Sequence, residues 1–208
     1  MKKTLYWHDP SVTDIVKAAL EKNSVSITST DTILGLLAPL TQQAFDALNA
    51  LKGARDKKPY LVIIGSLENL DKFVDRSAVA PRAQAMLEQC WPGPLTVIFK
   101  AKKDLPSFMV SADGTIAIRC PQHKGLLNIL KYFDGLFSTS ANRSGRPTPR
   151  SIGDLDQQLA SQIELGIVDQ EQQVVHAPPS TIIDVTDPKR AVVVREGAYP
   201  VEMLKKFF

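Results

Sequence analysis

Cysteine is nearly absent from this 208-residue chain, which carries only Cys90 and Cys120. Neither has a Cys-x-x-Cys partner or a histidine at metal-ligand spacing. That argues against a zinc site and leaves two reduced, buried thiols as the expectation. The three histidines, His8, His123 and His176, lack ligand spacing as well. No apolar run approaches the roughly 20 residues that cross a bilayer. The opening segment, residues 1–10, has two lysines but no apolar stretch behind them, so it does not read as a secretory signal. A cytoplasmic protein with no membrane contact is expected. There is no G-x-x-x-x-G-K-[ST] phosphate loop, no G-x-G-x-x-G fingerprint and no G-x-S-x-G elbow. Aromatic residues make up only 7% and do not interleave with the cations, a poor basis for a surface that stacks RNA bases.

What is present is ordinary in amount and informative in order. Hydrophobic residues are 44% and charged residues 23%, enough for a full core without staples. The net charge of +3 permits an anionic ligand without indicating one. Short β-branched runs alternate with amphipathic stretches, the pattern of an α/β fold. Strands are expected over 24–28, 60–64, 95–100, 115–119, 135–139, 180–185 and 191–195. Several are continuous apolar runs, as strands covered on both faces are. Helices are expected between them. One opens at Pro10 with Asp9 as its cap and buries Val12, Ile15, Val16, Ala19 and Leu20. One is capped by Thr41, turns Phe45, Leu48 and Leu51 inward and ends near Gly53. Others cover 81–90 and 125–133, and a fifth starts at Ser151 with Asp154 three residues on. With no repeat and no linker, a single domain over 1–208 is the simplest organisation.

Three segments break the alternation with chemistry-bearing residues. Ser138-Thr139-Ser140-Ala141-Asn142-Arg143-Ser144-Gly145-Arg146-Pro147-Thr148-Pro149 follows a strand and is dense in hydroxyls, amide and arginine. Small polar side chains and free backbone N–H groups suit an anion-binding concavity, although the same residues build ordinary turns. Lys52-Gly53-Ala54-Arg55-Asp56-Lys57-Lys58-Pro59 puts four cations at a helix end, where dipole complementation is the alternative. Arg119 follows an apolar strand run, where a buried charge needs a carboxylate or phosphate partner, or a structural salt bridge.

The order of these segments resembles one family. Ser29-Thr30-Asp31-Thr32-Ile33-Leu34-Gly35-Leu36 resembles its P-T-[DE]-T-x-Y-G-L element, and Lys52 to Pro59 its K-x-R region. Trp91-Pro92-Gly93-Pro94-Leu95-Thr96 resembles P-G-P-x-T, and Ile118 to His123 resembles R-x-P-x-H. The run from Ser138 to Gly145 matches S-x-S-A-N-x-S-G. Pro179-Ser180-Thr181-Ile182 and Val194-Arg195-Glu196-Gly197 match the closing P-S-T-[IV] and R-x-G elements. The chain is thereby identified as a member of the YrdC-like threonylcarbamoyl-AMP synthase family, in its short form. It departs at Leu34, where the family usually has Tyr on the threonine side. It departs again at Arg55, three residues after Lys52 rather than two. The run 60–64 lacks a histidine that some members have there.

The resemblance implies an open, twisted mixed sheet with flanking helices around a concave basic cavity. It implies condensation of L-threonine, bicarbonate and ATP, brought with Mg²⁺, into threonylcarbamoyl-AMP and pyrophosphate for tRNA modification by partner proteins. Such chemistry gathers anions in one place, so positioning and charge carry it. On this reading Lys52, Arg55, Ser140 and Asn142 are the catalytic set. Lys58, Thr115, Thr148 and Arg195 join them at ATP, while Thr30, Thr32, Arg119, Ser138 and Ser180 receive threonine, Arg119 by its carboxylate. No protein side chain is assigned to the metal. The competing readings are an RNA-binding, translation-associated module, with weak RNA binding through the same cavity, and a divergent paralogue with another nucleotide-dependent activity.

Overall fold

The computed structural model describes residues 1–53, 59–170 and 177–208. Ten strands form one mixed sheet: β1 (Lys3–Tyr6), β2 (Ser26–Thr28), β3 (Gly35–Pro39), β4 (Leu61–Ile63), β5 (Leu95–Lys100), β6 (Thr115–Arg119), β7 (Leu136–Ser140), β8 (Leu165–Val168), β9 (Thr181–Asp184) and β10 (Val192–Arg195). Their order across the sheet is β1-β8-β2-β3-β7-β4-β6-β5-β9-β10, and the sheet is open, with β1 and β10 at its edges. The pairs β1–β8, β2–β8, β4–β6 and β5–β9 are parallel and the rest antiparallel. This is the expected α/β architecture with flanking helices.

The continuous apolar runs are explained by two cores, one on each face of the sheet. Alternation sends Leu37, Ile63, Leu136 and Ile167 to one face, against Val12, Val16 and Leu20 of α1 (Val12–Glu21) and Leu126 and Ile129 of α4 (Lys124–Ile129). It sends Leu36, Ala38, Val62 and Phe137 to the other, against Leu48 of α2 (Gln42–Lys52) and Met86 and Leu87 of α3 (Pro81–Cys90). Thr41 caps α2 by accepting from the Ala44 N–H at 3.2 Å, as expected, and Gly53 ends it.

Some elements differ from expectation. Asp9 does not cap α1. Ser11 occupies that position, and the Asp9 carboxylate accepts from the Tyr6 N–H at 3.0 Å, closing the turn out of β1. Ser151 and Asp154 do form a capping box, but on a single 3₁₀ turn; α5 (Gln157–Ser161) starts later, capped by Asp156. Three strands have no counterpart in the sequence reading. β3 begins with Gly and ends with Pro, β1 and β8 are four residues each, and none has more than two adjacent β-branched residues.

Candidate active site

The pairing register builds the site. Gly35 faces Ser140 across β3–β7, Leu61 faces Ser138 across β7–β4, Ile63 pairs with Arg119, and Thr96 pairs with Ile182. Paired residues share a face, so these side chains project from the face that α1 and α4 cover elsewhere. A recess of about 360 Å³ lies among them. Thr30, Thr32, Thr96, Arg119, Ser138, Ser140, Thr148, Ser180 and Arg195 line it, and no described lining residue is a carboxylate.

Arg119 is 5% exposed and is held from three directions. Its Nε–H donates to the Gly93 carbonyl at 3.1 Å, one Nη1–H donates to Thr32 Oγ1 at 2.9 Å, and one Nη2–H donates to the Asp31 carboxylate. A guanidinium has five N–H donors, so two remain, one on each terminal nitrogen. The structural salt bridge, one of the alternatives in the sequence, is present, and it leaves two of the N–H donors without a partner among the described residues. Gly93 must be glycine to serve, because a Cβ there would lie 2.3 Å from the Cys90 carbonyl oxygen.

The hydroxyls of the β2–β3 connection form a directed chain. Arginine only donates, so Thr32 Oγ1 accepts from Arg119, and Thr30 Oγ1 lies 3.1 Å away. Thr30 donates to the Ile33 carbonyl at 2.8 Å and accepts from the N–H groups of Thr32 and Ile33. Thr30 thus organises the loop and Thr32 supports Arg119. Leu34, the departure from the family pattern, is 1% exposed and packs in the core; it does not line the recess.

On the opposite wall, Thr96 Oγ1 and Ser180 Oγ lie 2.8 Å apart, and Arg195 Nη2–H donates to the Ser180 carbonyl at 2.7 Å. Gly197 permits this: a Cβ there would sit 2.1 Å from the Pro179 carbonyl oxygen. Burial lowers the Arg119 pKa below the usual guanidinium value, against the pull of Asp31. Desolvation and then the charge of Arg119 lower that of Arg195. Two cations that repel each other around hydroxyls, with one carboxylate behind, make a site that attracts an anion.

Lys52, 5% exposed, directs its ammonium onto the turn after β7. It donates to the carbonyls of Ser140 at 2.8 Å and Asn142 at 2.6 Å, with Asn142 Oδ1 at 3.2 Å and Ser140 Oγ at 3.4 Å. Asn142 also accepts from Ser140 Oγ and donates to the Arg146 carbonyl. Asn142 also lines a second recess of about 570 Å³ with Arg143, Arg146 and Arg150, and Thr148 borders both recesses. Lys52 thus sits behind the Ser140–Asn142 turn rather than in the recess wall.

Of the remaining expected residues, Thr115 is not brought to the site. It starts β6, at the far end from Arg119, with its hydroxyl bonded to Ser111 and Asp113. Arg55 and Lys58 lie outside the described residues, as does His176. Thr96 and Asp31 join the site without being expected there, although P-G-P-x-T and T-[DE]-T contain them. Cys90 and Cys120 are free and buried, and burial pushes the Cys120 thiol up to about 11. Among the described residues, no group of His, Cys, Asp and Glu could hold a metal ion, and no helix is long and apolar enough to cross a membrane.

A recess walled by arginine and hydroxyls thus lies on one face of an open mixed α/β sheet. The chain belongs to the Sua5/YciO/YrdC family: the family model described as Sua5_yciO_yrdC, Telomere recombination, matches residues 18–197. It is 29% identical to a threonylcarbamoyl-AMP synthase of Pyrococcus abyssi over 179 residues, covering 85% of this chain and 51% of that protein. The chain thus spans about half the length of that relative. It is 30% identical over 183 residues to a threonylcarbamoyl-AMP synthase of Pseudoalteromonas translucida, covering 87% of this chain and 97% of the relative. In fold it matches the crystal structure of P. abyssi Sua5 complexed with L-threonine, with a TM-score of 0.85 and 24% identity over 100% of this chain and 60% of that one.

Proposed function

We propose that this chain is a threonylcarbamoyl-AMP synthase, folded as one domain over its length and acting in the cytoplasm on the way to tRNA modification by partner proteins. The observation that carries the reading is the unfilled half of the Arg119 fork. Arg119 lines the recess together with Ser138, Ser140, Ser180 and Arg195, which supports a ligand there meeting those donors. A planar pair of donors at a buried guanidinium is suited to a carboxylate. The relatives named above are synthases, and one was solved with L-threonine bound.

The amine of threonine and bicarbonate give a carbamate and water. A carbamate oxygen then attacks the α-phosphate of ATP, the bond to the β-phosphate breaks, and pyrophosphate leaves. Arg119 fixes the amino acid by its carboxylate. Thr96 and Ser180 close the opposite wall, leaving the carbamate toward the nucleotide. The remaining amide hydrogen of Asn142 meets phosphate oxygens, and Ser140, whose O–H donates to Asn142 Oδ1, fixes that amide. Lys52 contributes charge from behind that turn and holds its shape, while Arg195, Thr148 and the arginine recess take the rest of the nucleotide. Arg55 and Lys58 complete the cation set at the triphosphate. Mg²⁺ arrives on ATP as part of the substrate. Catalysis on this account is positioning and charge stabilisation, with no covalent nucleophile.

Pyrophosphate release tests the reading. It should require L-threonine and bicarbonate together with ATP; equal release with serine, or without bicarbonate, would contradict it.

One observation favours a second reading. Arg146 and Arg150 line an open recess whose carboxylates, Asp154 and Asp156, are engaged in helix caps. We propose that this loop also meets RNA phosphate weakly. Arg146→Ala with Arg150→Ala should then flatten the salt dependence of tRNA binding.

A further inference from the structure

Asp31 has no place in the reaction as described, yet it is the carboxylate most intimately tied to the site. One of its oxygens accepts from Arg119 Nη2, and the other accepts from the Gln122 backbone N–H at 2.9 Å. Both partners belong to the segment leaving β6, and the ion pair is nearly closed to water, with side chains 5% and 12% exposed. A buried guanidinium can rotate about its terminal torsions. Three fixed acceptors remove that freedom: the Gly93 carbonyl, Thr32 Oγ1 and Asp31. Only Asp31 carries charge, and like Gly93, whose N–H donates to the Cys120 carbonyl at 2.8 Å, it is tethered to the chain next to the arginine.

We infer that Asp31 is a positioning residue for substrate carboxylate recognition: it aims the two remaining N–H groups of Arg119 into the recess. The inference rests on the reading of Arg119 as the carboxylate receptor and adds what sets its direction. A simple counter-charge would behave oppositely. Asp31 lowers the positive potential of the recess, so on electrostatics alone its removal should strengthen binding of an anion. On geometry its removal should weaken it. An asparagine cannot do both jobs, because its amide hydrogens would face either an arginine donor or the Gln122 N–H.

The test uses Asp31→Asn and Asp31→Glu in the whole chain, with L-threonine binding by calorimetry and steady-state kinetics. Asp31→Glu keeps the charge pair but displaces the oxygens, so it serves if the asparagine variant folds poorly. Misaiming one charge-assisted hydrogen bond should raise the threonine Kd and KM roughly ten-fold in both variants. kcat at saturating threonine and the KM for ATP should stay near wild type. Unchanged or tighter threonine binding in either folded variant overturns the inference and leaves Asp31 a counter-charge. Wild-type protein that binds no threonine overturns the reading of the site, and this inference with it. Wild-type binding that both variants retain overturns the inference alone.

Discussion

Replacing Lys52 by methionine separates two roles that a buried cation beside a phosphate site can have. Among the described residues, the ammonium has its two shortest contacts, 2.8 and 2.6 Å, to the carbonyls of Ser140 and Asn142. Methionine fills a similar volume, so the change leaves no sizeable cavity; it leaves carbonyls without a donor. An unpaired buried polar group costs about 1–3 kcal/mol, so two cost about 2–6 kcal/mol. Relief of the desolvation of the ammonium offsets part of this. A net loss of about 2–3 kcal/mol, at about 2–4 °C per kcal/mol for a chain of this length, lowers Tm by roughly 4–12 °C. The turn carrying Ser140 and Asn142 loses its anchor, so turnover should fall ~10² or more with it, as when a preorganised donor is displaced. The assay is a thermal melt beside pyrophosphate release. A Tm within about 1 °C of wild type, with ATP affinity alone lost, would refute the reasoning: the ammonium would then act on phosphate and not on the turn.

Other perturbations report on separate parts of the site. Asn142→Ala should cut turnover ~10²–10³ with little change in threonine affinity; wild-type turnover in a folded variant would remove Asn142 from the reaction. Arg119→Lys replaces a fork with a point charge and should weaken threonine binding while ATP binding holds, and calorimetry showing the reverse would move Arg119 to the nucleotide side. Burial raises the pKa of both thiols, Cys120 to about 11, so neither should react with a thiol reagent at pH 8 in the folded protein, and both should after unfolding. A fast-reacting thiol in the native state would contradict their placement.

The fold was legible where residue type and period agreed. The runs that became β5 and β6 are β-branched and bounded by turn residues, and their ends were found to the residue. β3, Gly-Leu-Leu-Ala-Pro, is fully buried between β2 and β7, and tertiary pairing rather than propensity makes it a strand. Within the site, the family resemblance singled out Thr30, Thr32, Arg119, Ser138, Ser140, Ser180 and Arg195, and all of them line one recess. What the sequence could not convey is direction. It marks Lys52 as a cation near a hydroxyl loop, but the bonds to Ser140 and Asn142 depend on how α2 ends against β7. It marks Leu34 as a change near the threonine side, but alternation turns that side chain into the core. Thr115 and Arg119 share β6, yet its length puts only one end at the recess.

The fate of the bicarbonate carbon tests the central claim most directly. With labelled bicarbonate, L-threonine and ATP, the label should appear in a nucleotide product whose mass is that of threonylcarbamoyl-AMP, in step with pyrophosphate. An unlabelled adenylate of threonine, or label that never enters a nucleotide, would contradict the account.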